Sequence, residues 1–147
     1  MNKHKTKNFL IITGIFKPDI GGPSIFVNAL DKHIRKNNKF ESFIITLSNI
    51  KKPFTTKNNI LRINRNLPKF IRVLITIYFI RKYSKRCDSI LCCGLIFETF
   101  IGTITINKKK VFRFVGDSIW EKYIGSRNQG IFGESNFPIH IKILLLV

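Results

Sequence analysis

The chain has 147 residues, a mass of 17.1 kDa, 44% hydrophobic residues and 14 phenylalanines. That suits one domain with a real core and excludes a disordered chain, since the apolar content suffices to offset ordering entropy. Three cysteines, two of them adjacent, exclude a small disulfide scaffold. The net charge of +18, from 26 basic and 8 acidic residues, points to an anionic partner. A competing account is an A/T-rich coding bias: Ala29 is the single alanine, Ile and Asn abound, and Lys108-Lys109-Lys110 is the only run of three cations.

In chain order, the basic head 1–8 leads into a short apolar run, 9–16, that contains Thr13 and Gly14 and has no small-residue cleavage site. It reads as a buried strand over 9–13 rather than a signal peptide. Residues 17–24, with Pro18, Pro23 and the pair Gly21-Gly22, are loop chemistry. Ser24 is the expected cap of a helix whose apolar face is Ile25, Phe26, Ala29, Leu30 and Ile34, stopped by Asn37-Asn38. Residues 40–47 form a second strand, 48–59 a polar loop, and 60–63 a weak third strand. Leu67-Pro68 opens a long helix reaching Lys85, with Pro68 near its first turn. Residues 88–93 are a fourth strand ended by Gly94, 96–105 a helix, 111–115 a fifth strand, and 118–124 a short helix. Strands alternating with helices predict an α/β fold: a Rossmann-like parallel sheet with helices on both faces. The apolar run 70–80, broken by Arg72, is shorter than the ~20 residues that a bilayer span requires. The expected location is the cytoplasm, with free thiols.

Ligands of such sheets sit beyond the carboxyl ends of the strands, and three of those ends are chemically pointed. Gly21-Gly22-Pro23-Ser24 stands between a strand and a helix, where bare backbone and a helix amino terminus suit an anion. The alternative is a plain tight turn. Neither the dinucleotide fingerprint nor a P-loop is present. At Gly94, Cys92 and Cys93 read as small buried residues, and the Cys and His spacing fits no zinc site, so no metal is expected. At Gly116-Asp117, a carboxylate follows a buried strand directly, placed to accept a sugar hydroxyl or act as general base. The alternative is a helix cap. Trp120, the sole tryptophan, can stack on a sugar ring or belong to the core.

Two stretches together resemble family-four glycosyltransferases. Phe16-Lys17-Pro18-Asp19-Ile20-Gly21-Gly22-Pro23-Ser24 and the helix after it are similar to that family's aromatic-x-P-x-x-G-G loop. Val115-Gly116-Asp117-Ser118-Ile119-Trp120-Glu121, with Arg127-Asn128-Gln129-Gly130 downstream, looks like a branch carrying V-G-D-x-x-W-E. The resemblance covers residues 9–137 and implies the amino-terminal, acceptor-side half of a two-domain GT-B enzyme. Such an enzyme is a retaining glycosyltransferase moving a sugar from a nucleotide-sugar to a cell-envelope polysaccharide or lipid-linked acceptor. It implies Asp117 as the catalytic residue and Gly21, Gly22, Pro23, Ser24, Gly116 and Trp120 as substrate-binding. Many relatives carry His near the Asp117 position, so a histidine-based role does not transfer. No cofactor is implied beyond the donor substrate, which the carboxyl-terminal domain of such enzymes mainly binds. At about half the usual length, the chain is expected to be a truncated or split copy, inactive alone.

Residues 1–137 are accordingly expected to form the domain. Residues 138–147, where Pro138 precedes an apolar ending, are expected to be a tail foreign to it. The long helix 68–85, with cations flanking an apolar middle, fits either peripheral contact with the cytoplasmic face of a membrane or ordinary packing in the core. The rival from another class is a non-enzymatic basic nucleic-acid-binding module. It is not favoured, because the aromatics fall mostly inside predicted strands and helices; no nucleic-acid partner is expected.

Overall fold

The computed structural model describes residues 6–37, 39–114 and 142–146. In chain order these form β1 (Lys7–Thr13), α1 (Gly22–Lys36), β2 (Phe40–Ser48), β3 (Phe54–Lys57), β4 (Ile60–Asn64), α2 (Lys69–Ser84), β5 (Ser89–Cys92), α3 (Ile96–Thr103), β6 (Lys109–Phe114) and β7 (Lys142–Leu146). The strands make one sheet in the order β3-β4-β2-β1-β5-β6-β7. Its central five are parallel, so Thr13, Ser48, Asn64, Cys92 and Phe114 all end at one edge of the sheet. The fold is α/β and Rossmann-like, as the alternation predicts.

Each face of the sheet has its own core, as continuous apolar strands require. On one face Leu10, Ile12, Ile45, Leu61, Ile63 and Ile90 pack with Phe79 and Ile80 of α2. On the other Ile11, Ile44 and Cys93 pack with Val27 and Ile34 of α1 and with Phe16. A side chain of this kind, fully buried, contributes roughly 1.5–3 kcal/mol relative to an exposed one. The helices therefore cover both faces, α1 on one and α2 with α3 on the other.

Four expectations are corrected. The sheet is mixed: β3 and β7 run antiparallel at its two edges. Residues 48–59 are not wholly loop, because Asn58 and Asn59, with φ of 53° and 61°, turn β3 back onto β4 with Lys57 opposite Ile60. Two successive positive φ values make the tight hairpin turn whose twist suits its strands, and Asn tolerates that region better than most residues. The tail is not foreign to the sheet, since Lys142–Leu146 pairs with β6 from Phe114↔Lys142 to Lys110↔Leu146. Its β-branched and leucine content suffices for an edge strand once β6 offers a free ladder. Finally, Ser24 does not cap α1. The helix starts at Gly22 with Gly21 at the cap position, and Pro23 occupies its first turn, where a missing N–H costs nothing.

Candidate functional site

The parallel strands run β4-β2-β1-β5-β6, with the chain leaving β1 toward one side of the sheet and returning at β5 on the other. Connections after β1 and β5 thus diverge, the arrangement in which open α/β sheets offer a ligand crevice at the carboxyl edge. Gly14 follows β1 and Gly94 follows Cys93. A Cβ placed on Gly94 would stand 2.8 Å from the Gly14 nitrogen and 3.6 Å from its Cα. No side chain fits there, so the floor of the crevice is bare backbone.

Beyond Gly94, Leu95 takes the left-handed conformation, φ 56°, at the start of α3. Thr99 returns both its backbone N–H and its hydroxyl to the Leu95 carbonyl, at 2.9 and 2.8 Å. On the β1 side the loop is pinned from below by Phe16, which is 2% exposed. It is pinned from the flank by Arg65, whose Nη2 donates to Asp19 Oδ2 at 2.7 Å and lies 3.4 Å from the Gly14 carbonyl. Arg72 Nη1 in turn donates to the Arg65 carbonyl at 2.7 Å, tying the first turn of α2 to the same assembly. The Lys17-Pro18 peptide is cis.

Of the residues singled out from the sequence, four belong to this edge. Gly21 is in extended backbone (φ 165°). Gly22 is exposed, and a Cβ there would meet nothing within 4 Å. No side chain caps α1, and no acidic residue lies in its first turn. Pro23 shapes that turn. Ser24 is 2% exposed, and its hydroxyl donates to the Asp19 carbonyl at 2.8 Å; it supports the loop from inside instead of meeting a ligand. Gly116, Asp117 and Trp120 lie outside the described residues, as does the expected helix 118–124. β6 delivers the chain to this same edge at Phe114.

Gly14, Arg65 and Arg113 belong to the site and were not read from the sequence. Gly14 carries a signal, a glycine directly after a buried strand. Arg65 carries none, because its partner Asp19 is 46 residues away. Arg113 lies near the end of β6 with its guanidinium carbon 3.6 Å from the centroid of Phe26, in α1's first turns. One of its guanidinium nitrogens is buried without a hydrogen-bond partner among the described residues. It is a cation held beside the start of α1.

All three thiols are buried, and burial raises the pKa of each. Burial pushes Cys93 up to about 11, with the neighbouring Arg113 pulling only partly the other way. Cys87 is pushed up to about 11 by burial and by Asp88, and burial raises Cys92 as well. Such groups stay protonated near neutrality. A recess of about 420 Å³ on the α1 face, floored by Phe9, Ile11, Leu91 and Val111 and walled by Leu30 and Ile34, contains none of the expected site residues. Among the described residues no three His, Cys, Asp or Glu side chains gather as metal ligands, and no helix is long and apolar enough to cross a membrane.

No family model matches the chain, and no curated protein matches it. Among solved structures, a methyltransferase from the mycinamycin biosynthetic pathway, in complex with magnesium, SAH and mycinamycin VI, is similar at 13% identity and a TM-score of 0.34. The alignment covers 92% of this chain. The chain spans 36% of the length of that protein.

Proposed function

We propose that the chain is the acceptor-side domain of a retaining glycosyltransferase that uses a nucleotide-sugar donor and a cell-envelope polysaccharide or lipid-linked acceptor. One observation carries the reading. The Gly21-Gly22 turn, with an uncapped helix start behind it, follows β1 at the sheet's topological switch point, where Gly14 and Gly94 meet backbone to backbone. Bare backbone with free N–H groups accepts phosphate or sugar oxygens at close range, and Arg113 adds a positive charge beside the same helix start.

In this reading the Gly21-Gly22 turn lies where the donor phosphates meet the acceptor glycan, and Pro23 and Ser24 hold that turn in shape. Asp117, Gly116 and Trp120 are assigned to contact with the transferred sugar and the acceptor. Asp117 then accepts a hydrogen bond or a proton from a sugar hydroxyl. The donor's nucleotide is assigned mainly to a second domain, so these 147 residues alone are expected to hold an acceptor glycan without turning over a donor.

The test is a titration of the isotope-labelled chain, followed by NMR, with acceptor glycans and then with nucleotide-sugars. The expected result is shifts at Gly14, Gly21, Gly22 and Asp117 on adding a glycan, and no micromolar affinity for a nucleotide-sugar. Shifts confined to residues away from the carboxyl edge would end the glycosyltransferase reading. So would affinity for single-stranded nucleic acid at that edge.

A further inference from the structure

The layer formed by α2 and α3 is unlike the rest of the surface. The two helices pack side by side: a Cβ on Gly102 of α3 would fall 2.9 Å from Cγ2 of Ile80 on α2. Their inward residues are buried, yet their outward residues are also apolar. On α2, Phe70 is 74% exposed, Leu74 53% and Tyr78 60%; on α3, Phe97 is 63% exposed and Phe100 53%, with Ile104 at its carboxyl cap 62% exposed. Side chains at 70, 74 and 78, and at 97, 100 and 104, recur at helical spacing, so each helix presents a stripe, and the packing of the helices joins the stripes into one face. A contiguous apolar patch of this kind marks an interaction surface.

The α2 stripe continues through Arg81 and Lys85, seven and eleven residues beyond Leu74 and therefore on the same side of the helix. Both are exposed, and Lys82 and Arg86 are exposed beside them. Lys69 is exposed at the other end of the helix. Of the acidic residues described, Glu98 is the one on these two helices, and it is only partly exposed. The face is thus apolar in its middle and cationic at its margins.

We infer that the α2–α3 face docks on an anionic lipid bilayer. Apolar side chains entering the boundary between headgroups and acyl chains, with Lys and Arg held at headgroup level, form the pattern of a surface-lying amphipathic element. Cations near an anionic leaflet add attraction that salt screens. The same charge margin opposes a second copy of this chain on that face, since it would set like charges against each other. This inference rests on exposure and charge alone and stands whether or not the glycosyltransferase reading holds.

The experiment is flotation of the full chain with vesicles of phosphatidylcholine alone and of phosphatidylcholine with about 30 mol % phosphatidylglycerol, which supplies the anionic surface. Binding is expected to the anionic vesicles, to fall as salt is raised, and to be weak on neutral ones. The double variant Phe97→Ser/Phe100→Ser should lower the partition coefficient on the order of tenfold, and Arg81→Glu/Lys85→Glu should do the same and flatten the salt dependence. All four positions are exposed, so circular-dichroism melts should match the parent chain. If one pair disturbs folding, the other still decides. Four outcomes overturn the inference: no anionic-vesicle binding, binding unchanged in both variants, a dimer in sedimentation equilibrium that the serine variant dissolves, or nucleic-acid binding lost with Arg81 and Lys85 while vesicles are ignored.

Discussion

The helical layers on the two faces of the sheet solve the same problem inward and opposite problems outward. α1 buries Val27 and Ile34 against the sheet and turns Lys32, His33, Arg35 and Lys36 to water, with Arg35 bridged to Asp31 at 2.9 Å. It is finished as a soluble surface, apart from Ile25 near its start, which is 65% exposed. α2 and α3 bury Phe79 and Ile80 on the same terms and leave phenylalanine, leucine and tyrosine outside. Burial against the sheet stabilises the fold and fixes the inner faces alike. The outer faces contribute little to folding, so a difference there reports on what each layer meets.

The inward likeness is tested by the largest effects. Ile80→Ala removes a side chain with no exposure that touches both the sheet core and α3. It should cost about 3–4 kcal/mol, lowering the melting temperature by roughly 10 °C or more. Val27→Ala, equally buried under α1, should cost about 2 kcal/mol because it deletes less volume. Urea midpoints of the two variants would break the comparison if the α1 variant were the more damaged. Between the layers, Gly94→Ala drives a methyl into the Gly14 backbone at 2.8 Å. That contact is with main chain, so nothing yields cheaply. A loss of about 2 kcal/mol is expected, and an unchanged midpoint would show that the crevice floor is looser than that distance implies.

The adjacent thiols probe dryness on the two sides of the sheet. Cys92 donates to Thr99 of α3, while Cys93 belongs to the core under α1. Burial raises both. A thiol whose folded value is raised favours the folded state fully below its unfolded value, near 9.0, and loses that contribution as pH climbs through about 11. The stability difference between the parent chain and Cys93→Ala should therefore be constant up to about pH 9 and shrink between about 9 and 11. A difference that persists at pH 11 would mean that Cys93 titrates as though exposed. Native-state alkylation at about pH 7.5 should be slow at all three cysteines, which are at most 5% exposed.

Most of the sheet is legible in the sequence because buried parallel strands are written as unbroken apolar runs, as in Leu10-Ile11-Ile12 and Phe43-Ile44-Ile45. The Gly21-Gly22 turn is legible for the same local reason. What escapes is either disguised or distant. Thr55-Thr56 lies in a polar stretch, and only the pairing of Asn58 with Asn59 betrays the hairpin. Arg65 is a site residue through Asp19, on another element. The outward face of α3 is hidden by composition itself: Phe97 and Phe100 carry no polar signal that would mark an exposed side. Ser24 misleads because a serine before an apolar helix fits the cap rule, whereas here the chain enters the helix two residues earlier through Gly22.

The smallest expected effect is the most informative about the carboxyl edge. At Gly22 a side chain would meet nothing within 4 Å, and the residue is the first of α1. Alanine there loses less backbone entropy on folding than glycine. Stability should be unchanged or rise by up to about 0.5 kcal/mol. The methyl would nonetheless stand in open space at the start of an uncapped helix, where the proposed ligand approaches the backbone. Gly22→Ala should therefore weaken glycan binding several-fold with no thermal penalty, while Ala29→Ser, exposed farther along α1, should leave binding unaltered at a small cost in helix propensity. Melting curves and the glycan titration, run side by side on both variants, separate the cases. Unaltered affinity in Gly22→Ala would mean that the glycine pair only shapes a turn, and the site would have to be sought elsewhere along the edge.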